Sequence, residues 1–181
     1  MAVWWVALFG AGMALVVATK IAFIGWGIGI PSIDFAGISG HAMRAAAVLP
    51  VIAYLALQGG RRSVKIIGVS AGVGLGILIA VSRVLVDAHS LSEAVSGFLL
   101  GTLIGVIFIS LARPLHKPSV NGWLVMVTLV SLFWVSSGEP APTQQMLTEM
   151  ALALSGHDRP FTRADWIATG QLLPKPVTLI R

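Results

Sequence analysis

"IIGVSAGVGLGILIAVSRVLVDAHSLSEAVSGFLLGTLIGVIFISLA", residues 66–112, decides how this chain is read. Its two apolar runs, 66–86 and 91–112, are each long enough to cross a hydrocarbon core of ~30 Å at ~1.5 Å per residue. The junction between them is polar, holding Arg83, Asp87, His89 and Glu93. Two membrane spans joined by a short charged connection make an antiparallel pair, and the charges then share one membrane face.

The rest of the chain agrees with that class. Only 10% of the 181 residues are charged and the mean hydropathy is +0.90, far from the averages of water-soluble domains. There is no Cys, which excludes disulfides, thiolate metal sites and Cys nucleophiles. The net charge of +5 does not point to nucleic acid, because Lys and Arg stand at the ends of apolar runs and form no basic stripe.

Outward from the opening stretch, three further runs have spanning character, near 3–19, 42–58 and 121–137, the second interrupted by Arg44 and Pro50. "MAVWWVALFGAGMALVVATK" lacks a basic leader and a small-residue cleavage site, so it reads as a retained span. The expected fold is an all-α polytopic bundle of about five spans over 1–137, followed by an external helical appendage over 138–181. Arg61, Arg62, Lys65, Arg113 and Lys117 fall on one side, which the positive-inside rule makes cytoplasmic. That parity places the N-terminus inside, and puts "SGH" (39–41) and "SRVLVDAHSLSE" (82–93) together at the outer face of an inner membrane. Trp4, Trp5, Trp123 and Trp134 fit interfacial belts.

Gly68, Gly72 and Gly76 recur every fourth residue, as do Gly97, Gly101 and Gly105. Small-residue stripes let helix backbones approach closely in lipid, so a tight hairpin of the third and fourth spans is expected. In the polar tail, Thr143 is placed to cap a helix ending at Gly156, "TRAD" (162–165) has capping-box spacing with Gly170 as a stop, and Pro174 and Pro176 hold the end extended.

His89 and Glu93 are four residues apart, a spacing that puts both on one helical face. A carboxylate there accepts the proton of one imidazole nitrogen and leaves the other nucleophilic. Arg83 can fork onto phosphate oxygens. Plainer readings exist for each: Glu93 as the capping-box partner of Ser90, Arg83 as an ion pair to Asp87 or a headgroup anchor, His89 as an interfacial histidine.

"SR-x5-H-x3-E" together with the upstream "SGH" resembles the type 2 phosphatidic-acid phosphatase superfamily, whose helical core is shared with vanadium haloperoxidases. The resemblance covers roughly residues 20–110. It implies metal-independent phosphoryl transfer with no cofactor: His89 attacks phosphorus to form a phosphohistidine, Glu93 orients it, and His41 protonates the leaving oxygen. Ser39, the Gly40 N–H and Arg83 would hold the phosphoryl oxygens, with Lys20 from the first motif. The implied substrate is a lipid phosphate or diphosphate drawn from the surrounding membrane lipids, with undecaprenyl diphosphate, phosphatidylglycerol phosphate, phosphatidic acid and lipid A as candidates. Three positions depart from the family pattern: Glu93 replaces Asp, Ile38 replaces the Pro before Ser39, and Gly27 and Ile28 stand where the first motif has Arg-Pro. Arg44, one turn after His41, is the candidate substitute for that Arg, the alternative being a headgroup anchor. A catalytically degenerate member that binds anionic lipid or a membrane partner is the competing function. A channel ranks behind it, because the ionisable residues gather at one face. No His/carboxylate spacing suggests a metal. His116 lies among basic residues, and the second "SGH", ending at His157, lacks a following apolar helix.

Overall fold

The apolar run from Ala2 contains no Pro, and in the computed structural model it forms one helix, α1 (Ala2–Trp26), that carries Gly10, Gly12 and Gly25 within it. The structure describes residues 2–112 and 142–171. At ~1.5 Å per residue α1 is about 37 Å long, so the first span does not close at residue 19 as expected: "IAFIGW" (21–26) continues it, and Lys20 lies within the helix. The end is set by Gly27, whose φ of 69° is a left-handed conformation that suits glycine. From there a short link turns back on itself, with Ile30 bridged to Phe35 around a 3-10 turn at Pro31–Ile33.

Ser39 then starts α2 (Gly40–Ala56), its hydroxyl accepting the Ala42 N–H. The helix runs through both Arg44 and Pro50, the interruptions noted in the sequence. α3 (Arg62–Leu85) and α4 (Leu91–Ala112) follow. α1, α3 and α4 are long and apolar enough to cross a membrane, whereas α2 is a shorter apolar helix.

α2 is the axis of the bundle. Ala42, Met43, Ala46 and Ala47 are at most 1% exposed, because α3 and α4 close over them from either side. The glycine stripes explain how. Gly72 and Gly76 of α3 face the backbone of Leu49, Pro50 and Ala46, while Gly97, Gly101 and Gly105 of α4 face Ser39, Met43 and Ala47. Both stripes are thus turned toward α2, and the expected hairpin in which they seal α3 against α4 gives way to a three-helix arrangement with α2 between. The physical reason lies in α2 itself: its alanines offer a backbone as approachable as the glycines opposite.

The outside of the bundle is apolar. Val3, Val6, Ile67, Leu78, Leu99, Leu103 and Val106 are all exposed, an arrangement suited to lipid and not to water. Trp4 is exposed there too, but Trp5 packs inward, stacked on Phe9 and edge-on to Phe108, which corrects its reading as a belt residue. Trp123, Trp134, His116, Arg113, Lys117, the expected fifth span and the final prolines lie outside the described residues.

The appendage forms α5 (Pro142–Ser155) and α6 (Arg163–Ala168). Gly156 and Gly170, both at φ 71°, follow the two helices. α5 packs on α1, where Gly25 meets the Ala151 carbonyl. Trp166 of α6 is buried with Phe23, Ile24 and Ala36. Backbone and side chain reinforce the docking: Phe161 N–H donates to the Ile24 carbonyl at 2.8 Å, and His157 Nδ1 donates to the Gly25 carbonyl at 2.8 Å. The second "SGH" is therefore a structural clamp.

Candidate functional site

The polar junction of α3 and α4 is built by capping. The Arg83 carbonyl accepts the N–H groups of Ala88 and His89 at 3.0 and 3.1 Å, so α3 ends in a tight turn. Ser90 and Glu93 exchange bonds at the start of α4: Glu93 N–H donates to Ser90 Oγ and Ser90 N–H to Glu93 Oε2, each at 3.3 Å. This is the capping box that the sequence offered as an alternative to a catalytic reading. The cap leaves room for a contact with His89, because the same Oε2 lies 2.7 Å from His89 Nδ1.

Glu93 is 3% exposed, and a carboxylate so deeply buried needs several donors. Its other oxygen, Oε1, accepts the Ala36 N–H at 2.8 Å and Arg163 Nη2 at 2.6 Å. An ionised carboxylate only accepts, so His89 Nδ1 donates to Oε2, and in the neutral tautomer that this bond selects Nε2 is the lone-pair nitrogen. The His89 side chain keeps 12% exposure against 4% for Glu93.

"SGH" is brought against this junction. Ser39 N–H donates to the Glu93 carbonyl at 3.1 Å, and Ile38 N–H donates to Thr19 Oγ1 at 3.1 Å, tying the segment to α1. A cleft of about 850 Å³ opens here. Lys20 of α1, Gly40, His41 and Arg44 of α2, and His89 and Glu93 line its polar part. Met13, Val16 and Val17 continue it along α1, and Leu147, Thr148 and Phe161 of the appendage wall the other side. Arg44 Nε donates to the Gly40 carbonyl at 3.1 Å, which holds its guanidinium beside the start of α2.

Two expected phosphate ligands stand apart from this lining. The Ser39 hydroxyl is fully buried under the α2 cap. Arg83 ends α3 with Nε 3.5 Å from Ser82 Oγ, and neither residue belongs to the cleft wall. Conversely, Arg163 and Asp34 were not singled out in the sequence. Arg163 Nε donates to Asp34 Oδ1 at 2.7 Å while Nη2 reaches Glu93. A lone Asp in the otherwise apolar stretch 21–40 was the signal available for that contact.

The place of the missing first-motif Arg also has a local explanation. Gly27 is the left-handed cap of α1 and lies under the Phe161 ring, so that position is used for helix termination and for seating the appendage.

Comparison with known proteins bears directly on this arrangement. A family model, PAP2 superfamily, matches residues 30–117, from the link through α4. The "Uncharacterized 22.5 kDa protein in cps region" of Klebsiella pneumoniae is 37% identical over 165 residues, covering 89% of this chain and 79% of that protein. The chain belongs to the PAP2 superfamily.

A shorter similarity, 37% over 74 residues, links it to phosphatidylglycerophosphatase B of Bacillus subtilis (strain 168), covering 39% of this chain and 36% of that protein. No solved structure matches. The PAP2 match takes in His41, Arg44, Arg83, His89 and Glu93 but neither Lys20 nor Arg163, so the cleft combines residues inside and outside the shared region.

Proposed function

We propose that this membrane protein is a lipid phosphatase that hydrolyses a phosphate or diphosphate monoester headgroup through a phosphohistidine on His89. The observation that carries the reading is the His89–Glu93 pair, 2.7 Å apart, at a cleft that also presents His41, Lys20 and Arg44. Membership in a superfamily of phosphatases supports the reaction class. The Bacillus relative's name supports a lipid phosphate such as phosphatidylglycerol phosphate, alongside the other candidates raised by the sequence.

In this mechanism His89 Nε2 attacks phosphorus in line with the leaving oxygen. The P–O bond breaks as the N–P bond forms, and His41 gives its proton to the departing alcohol or phosphate. Glu93 accepts the Nδ1–H throughout and stabilises the charge on the ring. Water, deprotonated by His41, then attacks phosphorus and releases orthophosphate with regeneration of neutral His89. Such a transition state spreads charge over three equatorial oxygens, so catalysis rests on placed cations and N–H donors. Lys20, Arg44 and the Gly40 N–H at the start of α2 meet that need from the cleft wall. Ser39 serves by capping the helix that carries Gly40 and His41, and Arg83 joins the phosphate by turning from Ser82 toward the cleft. The apolar continuation past Met13 and Val17 suits an acyl or prenyl chain.

Arg61, Arg62 and Lys65 lie at the start of α3, and the cleft lies at its far end. By the positive-inside rule that far end faces the exterior of the inner membrane, and the appendage docked beside it is external as well. Phosphate release from a panel of lipid phosphates and diphosphates by detergent-purified protein in EDTA, with His89→Ala alongside, tests the reading. Activity that persists in EDTA and disappears with His89 supports it. Binding of anionic lipid with no release from any substrate establishes the degenerate binder instead.

A further inference from the structure

We propose that Arg163, carried by the C-terminal helix pair, is a positioning residue that sets the orientation of His89 by acting through Glu93. This rests on the reading of His89 and Glu93 as the working pair.

A glutamate side chain has one more rotatable bond than the aspartate usual at this position, and an unrestrained Glu93 would present Oε2 to His89 only part of the time. Arg163 removes that freedom. Its guanidinium is a rigid planar fork: one tine is fixed on Asp34 Oδ1 at 2.7 Å and the other on Glu93 Oε1 at 2.6 Å. Asp34 is itself held in the turn closed by the Ile30–Phe35 bridge, with a left-handed φ of 52°. With Oε1 engaged by Arg163 and the Ala36 N–H, Oε2 is directed at His89 Nδ1 and the Ser90 N–H. The Asp34–Arg163–Glu93–His89 chain therefore determines which imidazole nitrogen bears the proton and where Nε2 points.

A competing role for Arg163 is direct phosphate binding in place of the missing first-motif Arg. Two observations weigh against it. Two carboxylates already take up its charge, whereas Lys20 and Arg44 make no salt bridge among the described residues. Arg163 lines the cleft, yet its Nη2 is taken up by Glu93 Oε1 and its Nε by Asp34, while the other Glu93 oxygen is left to His89. The other charged or titratable groups around the pair are Lys20 from α1, His41 and Arg44 from α2, and Arg83 from the end of α3. None of these makes a hydrogen bond to Glu93 among the described residues. Arg163 lies beyond the family match, which ends at residue 117, so this device sits outside the region that the family model describes.

The test uses the full-length protein in detergent with a short-chain phosphatidic acid as substrate, vanadate as phosphate mimic, and ¹⁵N-histidine NMR. Arg163→Met should lower kcat, by up to about a hundredfold as expected for a misplaced reacting atom, with KM and vanadate inhibition within twofold of wild type. Arg163→Lys should recover part of the loss. Asp165→Asn, which loosens the α6 cap but leaves the Arg163 guanidinium in place to bind Glu93, should lose clearly less than Arg163→Met. In the spectra, His89 should be Nδ1-protonated in wild type and a tautomer mixture in Arg163→Met. A raised KM with weakened vanadate inhibition and unchanged kcat would make Arg163 a phosphate ligand and overturn the proposal. So would equal losses in Arg163→Met and Asp165→Asn, which would reduce it to a fold tether. Should wild type release no phosphate, the catalytic reading fails by itself, and the tautomer comparison still decides whether Arg163 orients His89.

Discussion

Gly101 of α4 lies against the Met43 carbonyl of α2 so closely that a Cβ built on the glycine would overlap the oxygen. Backbone cannot move aside as a side chain can, so this seam fixes the spacing of α4 and with it the position of Glu93 two turns earlier. Gly101→Ala should destabilise the bundle by roughly 1–3 kcal/mol, the range for overpacking a close-packed interior. Gly74→Ala, where nothing lies within 4 Å, should be neutral or slightly stabilising. Thermal unfolding of both variants in the same detergent makes the comparison.

Glu93→Gln keeps a side chain able to accept the capping N–H of Ser90 but removes the charge. We expect kcat to fall about a hundredfold or more, by analogy with the loss of an orienting carboxylate in a histidine-based triad, while helix content by circular dichroism stays unchanged. Equal turnover in wild type and Glu93→Gln would leave Glu93 as a cap alone.

Arg44 is exposed on the cleft wall and held by a single bond to the Gly40 carbonyl. Arg44→Ala should raise KM and weaken vanadate inhibition about tenfold, the effect of losing one charge-assisted contact worth about 1.4 kcal/mol. Turnover and vanadate affinity equal to wild type would return Arg44 to the role of headgroup anchor.

The appendage carries its own pH dependence. The Thr162 N–H, then Arg159 and the Thr162 hydroxyl, hold the Asp165 carboxyl below its ordinary value. A group depressed in the folded state contributes stability that is present above its unfolded pKa of about 3.9 and is lost as pH falls through the folded value. Limited proteolysis of the 156–171 region should therefore accelerate below about pH 4. In Asp165→Asn the region should be cleaved faster at neutral pH and show a smaller further increase on acidification than wild type, the remainder coming from the Asp34 and Glu93 carboxylates that hold Arg163.

The two longest apolar runs and the His89–Glu93 spacing were legible because each is a local pattern: a run of residues, or two residues one turn apart. The shared face of "SGH" and the 82–93 junction followed from counting spans, and the Ser39–Glu93 backbone bond realises it. What escaped was long-range. The sequence shows two glycine stripes but not what they face, and the interruption of α2 by Arg44 and Pro50 gives no sign that it is the central helix. Arg163 meets Glu93 across 70 residues and Asp34 across 129, contacts that no local periodicity encodes. The length of α1 was underestimated because Lys20 reads as an end, whereas a single Lys is readily carried inside a helix whose neighbours are apolar.

The docking of the last helices on the first has a consequence for the order in which the protein is made. Synthesis runs from α1 to α4 before α6 exists, so Glu93 enters the bundle 70 residues ahead of the cation that binds it. Until then the half-formed junction has His89, Ser90 and Ala36 as its only partners for that carboxylate among the described contacts. Completion of the polar site therefore waits for α6, whose Arg163 closes on Asp34 and Glu93 only after the helices that carry them have been made.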